Sequence, residues 1–572
     1  MRVCIIEPPF IEPGMPYPEI HRIAAVVNQY GSEACTVDAN ILLYSSLVRD
    51  SLEVGDRDNL YRSFAQSFFI DDMSVFERQD GVRVGDMSAR LFSALVNQDV
   101  EELEHLRQDA LDRFSGQGFF SGHAQYVRDQ ELMNAFLDCG IKVYDQEASL
   151  SLNGFENQVD ITFPASVLDF ISGQGNSLVP LYEKHIRSEF SGINCDRMLV
   201  VIRVQEQLLP GLALSYWLKH HHNRIVAITG DFLNQALRRY FPDAVFHCAD
   251  EVIMGKIDFS LEKWFSNDTS YPICRTPVNP PEGHIIQTRK RRLPLPGIVP
   301  QISTEMYFSP YPLAGATVSS KCYWSKCRFC GISCLDTHSF SQLSMEQLYE
   351  MLRENIEENG VRHIQFCDYA MPPAFCTKTG MLEELAIQWT AQCRFEKQFT
   401  DPNLLTTMSR AGCTALSWGF ESGSSKLLKA CSKGGAVTAG ARADILRFSF
   451  QAGISNHLFI ITGIPGETED DFRETEQFLE ANSEYICGLE VHPFQLVPGT
   501  SYYQGVFNRA EQSGGDWNFN MQYSLSGSDT GAAIDRAGIL NEKFGHLSVV
   551  SETHDLLEGH LAMIRTFRGK TL

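Results

Sequence analysis

The sequence is poor in positive charge and has no long apolar run. Its 572 residues carry 48 Lys and Arg against 71 Asp and Glu, a formal net charge of −23. A phosphate-backbone partner demands a basic face, so no nucleic-acid partner is expected. No apolar stretch reaches the ~18 residues that a membrane-crossing helix needs, so no membrane partner is expected either. The opening Met1-Arg-Val-Cys-Ile-Ile-Glu-Pro-Pro9 turns acidic and proline-rich too soon for a secretory leader, and the expected location is cytoplasmic. Hydrophobic residues at 44% and charged residues at 21% are ordinary for a folded enzyme and exclude disorder along the whole chain.

Cysteine is abundant, at 16 residues. A secreted disulfide framework does not suit a chain of this size without a leader. Scattered cysteines read as small buried hydrophobes, among them Cys4, Cys35, Cys139, Cys195, Cys248, Cys393, Cys413, Cys431 and Cys487. Clustered cysteines point to metal or catalysis. Cys322, Cys327, Cys330 and Cys334 form such a cluster.

The pattern along the chain is α/β. Val3–Ile6 reads as a strand, 19–30 as a helix and Ala34–Val37 as the next strand, the succession of a parallel sheet. From about Leu42 to Pro180 the apolar residues recur at helical spacing, as at Val96, Val100, Leu103, Leu106, Ala110 and Phe114. Strand–helix alternation resumes with Met198–Val204, a helix from Pro210 to Lys219, Arg224–Thr229 and Ala244–Cys248. Residues 1–45 and 181–270 are therefore expected to form one doubly wound, Rossmann-like domain, interrupted by a helical insertion at 46–180. A linker is expected at 271–310, with the basic run Arg289–Arg292. From 311 to 505 strands at Ala316–Ser319, His363–Cys367, Arg394–Phe399, Ala415–Gly419, Ser455–Ile461 and Gly488–Val491 predict a partial (β/α)6, TIM-like barrel. Residues 506–572 are left as a small C-terminal α/β or helical extension. Asp368, Glu421 and Gly463 all fall just after predicted strands, at the end where barrel sites lie.

Cys322-x4-Cys327-x2-Cys330 follows the first barrel strand. Three thiolates can hold three irons of a 4Fe–4S cube and leave one iron open. A structural zinc site, closed by Cys334 or His338, is the alternative. Gly419-Phe-Glu-Ser-Gly423 and Gly463-Ile-Pro-Gly466-Glu-Thr468 each end a strand and open a helix, where glycine lets backbone approach a ligand. Plain strand–helix turns have the same build, with Thr468 as an N-cap.

Taken in this order, Lys321-Cys-Tyr-Trp-Ser-Lys-Cys-Arg-Phe-Cys330, Gly419–Gly423 with Lys433-Gly434, Gly463–Thr468 and Phe494–Gly499 resemble the radical S-adenosylmethionine (SAM) superfamily. The similarity is to the branch with an N-terminal cobalamin (B12)-binding-like domain. It is specific over about 315–505, weaker over 1–45 and 195–255, and absent from the insertion and after about 510. The resemblance implies that Cys322, Cys327 and Cys330 ligate a 4Fe–4S cluster whose open iron chelates S-adenosyl-L-methionine. One electron then cleaves the sulfonium to methionine and a 5′-deoxyadenosyl radical. Phe329 would lie against adenine, Asp368, Glu421 and Ser422 would contact the amino-acid or ribose part, Gly463 to Gly466 would line the adenine side, and Gly419 would belong to the same cofactor site. The resemblance further implies cobalamin, a reductase or flavodoxin-type electron donor, and a small-molecule or peptide substrate that is C-methylated. A non-methylating radical enzyme (isomerase, epimerase or carbon–carbon bond former) and a non-enzymatic zinc or iron–sulfur protein are the alternatives. The first cysteine gap is four where three is commonest in the superfamily. There is no D-x-H-x-x-G, so cobalamin would not be held through that lower-ligand histidine.

Overall fold

The computed structural model describes residues 1–49, 93–255 (short of 95–96, 98, 116–122 and 174–175), 260–265, 273–276, 306–332, 340–434, 437–497, 499–506, 517, 524–525, 528–550 and 557–563. Arg289–Arg292, Cys334, His338 and Val96 lie outside the described residues.

Two parallel sheets organise the chain. The first contains β1 (Arg2–Glu7), β2 (Glu33–Asp38), β5 (Arg197–Val201), β6 (Ile225–Thr229), β7 (Glu251–Ile253) and β8 (Ile273–Cys274), in the order β2-β1-β5-β6-β7-β8. All neighbours are parallel except β7 and β8. Strand order reverses between β1 and β5, and in open α/β sheets ligands bind in the crevice outside the strand ends at such a switch point. β1 and β5 are buried on both faces and read as continuous apolar runs for that reason. Residues between β2 and β5 contribute helices Val100–Phe114, His123–Lys142, Pro164–Ser172 and Leu178–His185, with the small hairpin β3 (Ser149–Ser151) and β4 (Gly154–Glu156). They share one core with the first sheet.

The second sheet is β9 (Leu313–Ala316), β10 (His363–Phe366), β11 (Gln388–Arg394), β12 (Cys413–Glu421), β13 (Ser455–Thr462) and β14 (Gly488–Pro493), all parallel and in sequence order. This is the partial barrel. Its helices start as the sequence signals: Ser344–Gln347 is a capping box, Asp401 caps the helix at Pro402, and Thr468 with Asp471 forms a second capping box. The helix Thr530–Val550 packs beside β14, with Leu540 and Phe544 in the barrel core.

Several expectations need correction. Residues 245–248 are a short helix rather than a strand, and the strand is β7 beyond it. Pro242 starts that turn, with the Val245 N–H donating to its carbonyl. The third barrel strand ends, rather than begins, at Arg394. The first ends at Ala316, because Val318 and Ser319 leave the sheet to hydrogen-bond Asp368. The expected linker from 271 already contains β8, and Tyr307 and Phe308 are buried in the first core. The helix expected from Pro210 starts at Leu208.

Candidate functional site

The cluster loop leaves the carboxyl end of β9 and is pinned from three directions. The Arg328 N–H donates to the Cys431 carbonyl (2.9 Å), Trp324 Nε1 to the Ser432 carbonyl (2.8 Å), and the Tyr323 hydroxyl to Glu396 (2.8 Å). Ser325 takes a left-handed φ of 44° to turn the chain between Cys322 and Cys327. Cys322, Cys327 and Cys330 stand outside any disulfide, and each is half-buried. Burial pushes the Cys327 thiol up to about 12, against the opposing pull of Lys433 and Arg394. Among the described residues no three His, Cys, Asp or Glu side chains converge on a single metal ion. A four-iron cube takes one thiolate on each of three irons, so its donors need only share a loop. The soft, partly exposed three-thiol set fits that group.

Behind the loop stands a buried ion pair. Lys433 Nζ lies 2.6 Å from Glu421 Oε1, and both side chains are largely buried. Burial works against the charged lysine, but Glu421 and the Cys327 thiol outweigh it and hold its pKa above the ordinary value. Glu421 sits at φ 60°, a left-handed conformation that strains a non-glycine residue, at the register shift ending β12. Gly419 makes room for this pair: a Cβ there would stand 2.5 Å from Lys433 Nζ. Arg394, at the end of β11, stacks on Trp324 at 4.0 Å, donates to the Lys433 carbonyl and lies 3.6 Å from Glu396. No sequence pattern singles out Arg394.

Asp368 accepts from the Val318 N–H (2.9 Å), the Ser319 N–H (2.7 Å) and the Ser319 hydroxyl (2.5 Å). It thereby fixes the start of the cluster loop. Burial raises its carboxyl to about 6 although these bonds oppose the shift. Phe329 packs with Leu427, Ile461, Ile464 and Phe494 in a small apolar cluster. The Gly463–Gly466 turn uses φ 73° and 93° at its glycines, and the Gly463 N–H donates to Glu467 (2.7 Å), which also pairs with Arg536 (2.9 Å). Ser422 is turned away from the loop: it is fully buried against Thr475 of the helix Glu469–Ala481. The structure thus gathers Cys327, Glu421, Gly419 and Lys433, places Phe329 against the glycine turn, and does not bring Ser422 to them.

The residues on either side of the loop, Ser319, Ser320 and Ile332, line a cleft between the two sheets. Its cavity volume is about 420 Å³. One wall is Tyr17, Arg203, Thr229, Gly230 and Gly255, at the carboxyl ends of β1, β5, β6 and β7. The other is Ser319, Ser320, Cys367, Asp368 and Gln392 of the barrel. No side chain fits at Gly230, where φ is 127° and a Cβ would meet the Ile202 carbonyl at 2.0 Å. Arg203 is fixed by Glu7 (2.8 Å) and the Tyr17 ring (4.6 Å). The Tyr369 hydroxyl reaches Asp231 across the cleft (3.1 Å). A glycine-bearing crevice at a switch point, open toward solvent, suits a cofactor that lies against backbone, as a corrinoid would. None of its described lining residues is a histidine.

Inside the barrel the sheet alternates. Trp389, Ala391, Cys393, Leu416, Trp418, Leu458 and Ile460 face the helices, so Thr390, Gln392, Ser417, His457 and Phe459 face the lumen. Burial lowers the His457 imidazole to about 4, and its buried Nε2 has no hydrogen-bond partner among the described residues.

Comparison with known proteins bears on this arrangement. Residues 317–479 match the model of the radical SAM superfamily. Over 200 residues the chain is 24% identical to bacteriochlorophyllide d C-12(1)-methyltransferase of Chlorobaculum tepidum, covering 34% of this chain and 42% of that one. The chain thus spans less than half of this curated relative. Among solved structures it is similar to the radical S-adenosylmethionine methyltransferase TsrM of Kitasatospora setae with cobalamin and a [4Fe-4S] cluster bound (10% identity, TM-score 0.47, 87% of this chain and 76% of that one). It is also similar to the cobalamin-dependent S-adenosylmethionine radical enzyme OxsB (14% identity, TM-score 0.44, 69% and 65%). The α/β chain carries a radical SAM domain, whose matched segment begins at the end of β9 and takes in the cluster loop, Asp368, Glu421 and the Gly463 turn.

Proposed function

We propose that the chain is a radical SAM enzyme that C-methylates an unactivated carbon of a small-molecule or peptide substrate with the help of cobalamin. The observation that supports this best is the shared cleft: Ser319, Ser320 and Ile332, which flank the cluster loop on both sides, line the same space as the glycine-bearing crevice of the first sheet. When bound, the cluster and S-adenosyl-L-methionine supply one-electron bond cleavage, with the electron from a reductase or flavodoxin-type donor, and cobalamin supplies methyl transfer.

The protein's part is position and exclusion of water. Cys322, Cys327 and Cys330 would each hold one iron. Lys433 and Glu421 wall the loop from behind as a closed ion pair, so neither charge is free to wander toward a ligand. Asp368 fixes the backbone at Val318 and Ser319. The Tyr369–Asp231 bond ties the barrel to the first sheet over the cleft. In the lumen His457 is neutral at pH 7, and with Ser417 and Gln392 it presents hydrogen-bonding groups without net charge to a substrate.

The test is anaerobic reconstitution with iron, sulfide and cobalamin, followed by electron paramagnetic resonance of the reduced protein with and without S-adenosylmethionine. We expect about four irons per chain, a reduced-cluster signal that shifts when S-adenosylmethionine is added, and corrinoid absorption that survives gel filtration. A zinc-filled, silent protein overturns the radical chemistry. A responsive cluster with no retained corrinoid overturns the methylation and leaves a non-methylating radical enzyme.

A further inference from the structure

The β2-β1-β5 side of the first sheet gathers three thiols, far along the chain from the cluster loop, that the proposed reaction does not use. Cys4 of β1 and Cys35 of β2 are register partners on adjacent parallel strands. Cys195 lies just before β5, on the other side of β1. Neighbouring strands run ~4.7–4.9 Å apart, and a disulfide closes from Cα separations of ~4.4–6.8 Å. Paired positions also share a face of the sheet. Cys4 and Ile6 point into the core under the insertion helices, whereas Val3 and Ile5 point to the opposite side. The two thiols differ sharply in access. Cys4 is fully buried, and Cys35 is exposed because β2 is the edge strand. The expectation that Cys35 is a buried apolar position is therefore corrected.

Their chemistry is asymmetric too. Hydrogen bonding from the Cys4 thiol draws Cys35 down to about 7, while Cys4 itself is pushed up by Cys35 and by burial. An exposed thiol with appreciable thiolate at neutral pH is a nucleophile, and a buried protonated one beside it is not.

We propose that Cys35 and Cys4 form a redox-active dithiol, with Cys35 attacking and Cys4 resolving, that closes a β1–β2 disulfide on exposure to a low-molecular-weight disulfide. The Cys35 thiolate attacks one sulfur of the oxidant, forms a mixed disulfide and expels one thiolate. The Cys4 thiol attacks Cys35 Sγ and expels the second thiolate, which leaves carrying the Cys4 proton as a thiol. The protein pair loses two electrons, and the small disulfide is reduced to two thiols. The same two strands end at Glu7 and Asp38, themselves register partners, and Glu7 is the residue that fixes Arg203 in the cleft wall. The disulfide would therefore stiffen the strand pair that carries this wall. Nothing here depends on which cofactor fills the cleft.

The experiment treats the reconstituted holoenzyme anaerobically with oxidised glutathione, followed by non-reducing digestion and mass spectrometry. We expect a Cys4–Cys35 cross-linked peptide in the wild type and a persistent glutathione adduct on Cys35 in Cys4→Ser. Iodoacetamide labelling of Cys35 should be half-maximal near pH 7 in the wild type and move toward the ordinary ~8.5 in Cys4→Ala, which removes the donor. If Cys4→Ser does not fold, Cys35→Ser at the exposed position must abolish both the cross-link and the fast labelling, with the cluster signal intact. A wild-type adduct that stops at Cys35, a Cys4–Cys195 linkage, or an ordinary labelling profile overturns the proposal.

Discussion

At the scale of single residues the site is a matter of which charges are buried together. Lys433 and Glu421 are paired at 2.6 Å with little access to water. Removing one member of a buried pair costs ~3–5 kcal/mol, because the other charge stays behind unpaired. Lys433→Met is therefore expected to destabilise the barrel by several kcal/mol in urea unfolding, more than Glu421→Gln, which leaves a neutral hydrogen-bond acceptor facing the lysine. Equal costs for the two would mean that the pair is not closed in solution. Cys327 is different in kind. Its side chain contributes a thiol, and Cys327→Ser should keep the circular dichroism of the wild type while losing most of the bound iron after reconstitution. Iron retained at wild-type stoichiometry in Cys327→Ser would remove it from the ligand set.

At the scale of elements, what the sequence disclosed depended on which way each strand's side chains point. β1 and β5 are covered on both faces, so their apolar runs stood out. β11 has a polar lumen on one side. Gln388-Trp-Thr-Ala-Gln-Cys-Arg394 alternates, with Trp389, Ala391 and Cys393 in the core, and an apolar-run search slides past it to Phe395 and Phe399. The shift put Arg394 at the wrong end of its strand and hid it from the search for site residues after strands. Helix starts were legible because caps are local: Ser344, Asp401 and Thr468 each accept from a backbone N–H two or three residues on. The Ser422 side chain was not, since its partner Thr475 lies on a helix 53 residues away. The same helix explains Gly423. A Cβ there would meet the Glu474 carbonyl at 2.4 Å, and backbone of a packed helix does not yield cheaply. Gly423→Ala is expected to push the helix Glu469–Ala481 outward and lower the unfolding midpoint. Gly440→Ala, with open space around its Cβ, serves as the control and should be neutral or slightly stabilising.

At the scale of the whole molecule the pieces are held by contacts no local pattern announces. The segment Glu558–Met563 closes the amino-terminal end of the barrel: the Thr414 hydroxyl donates to the Leu561 carbonyl (3.0 Å), the Gly559 N–H to Glu12 (3.2 Å), and His560 Nδ1 meets the Tyr126 hydroxyl of the insertion (2.7 Å). Barrel, first sheet and insertion therefore share one buried junction, and that junction is titratable. Burial lowers His560 to about 3 and His363, with which it interacts, to about 4, and His21 and His457 are also held near 4. In the unfolded chain these four imidazoles titrate near ~6.5. Between pH 6 and 4 unfolding then takes up four protons at these sites. Asp38 and Asp368 work the other way, since burial raises both to about 6 and they release a proton each on unfolding in the same window. Over these six groups the balance is two protons taken up, a contribution that makes stability fall by about 2.7 kcal/mol for each pH unit lost below 6. Urea midpoints at pH 7, 6, 5 and 4.5 should therefore drop steeply on the acid side. His560→Phe, which removes one of the four, should flatten the slope by about half. A midpoint that stays level between pH 6 and 4.5 would mean that these histidines are hydrated in solution and that the junction under the barrel is open.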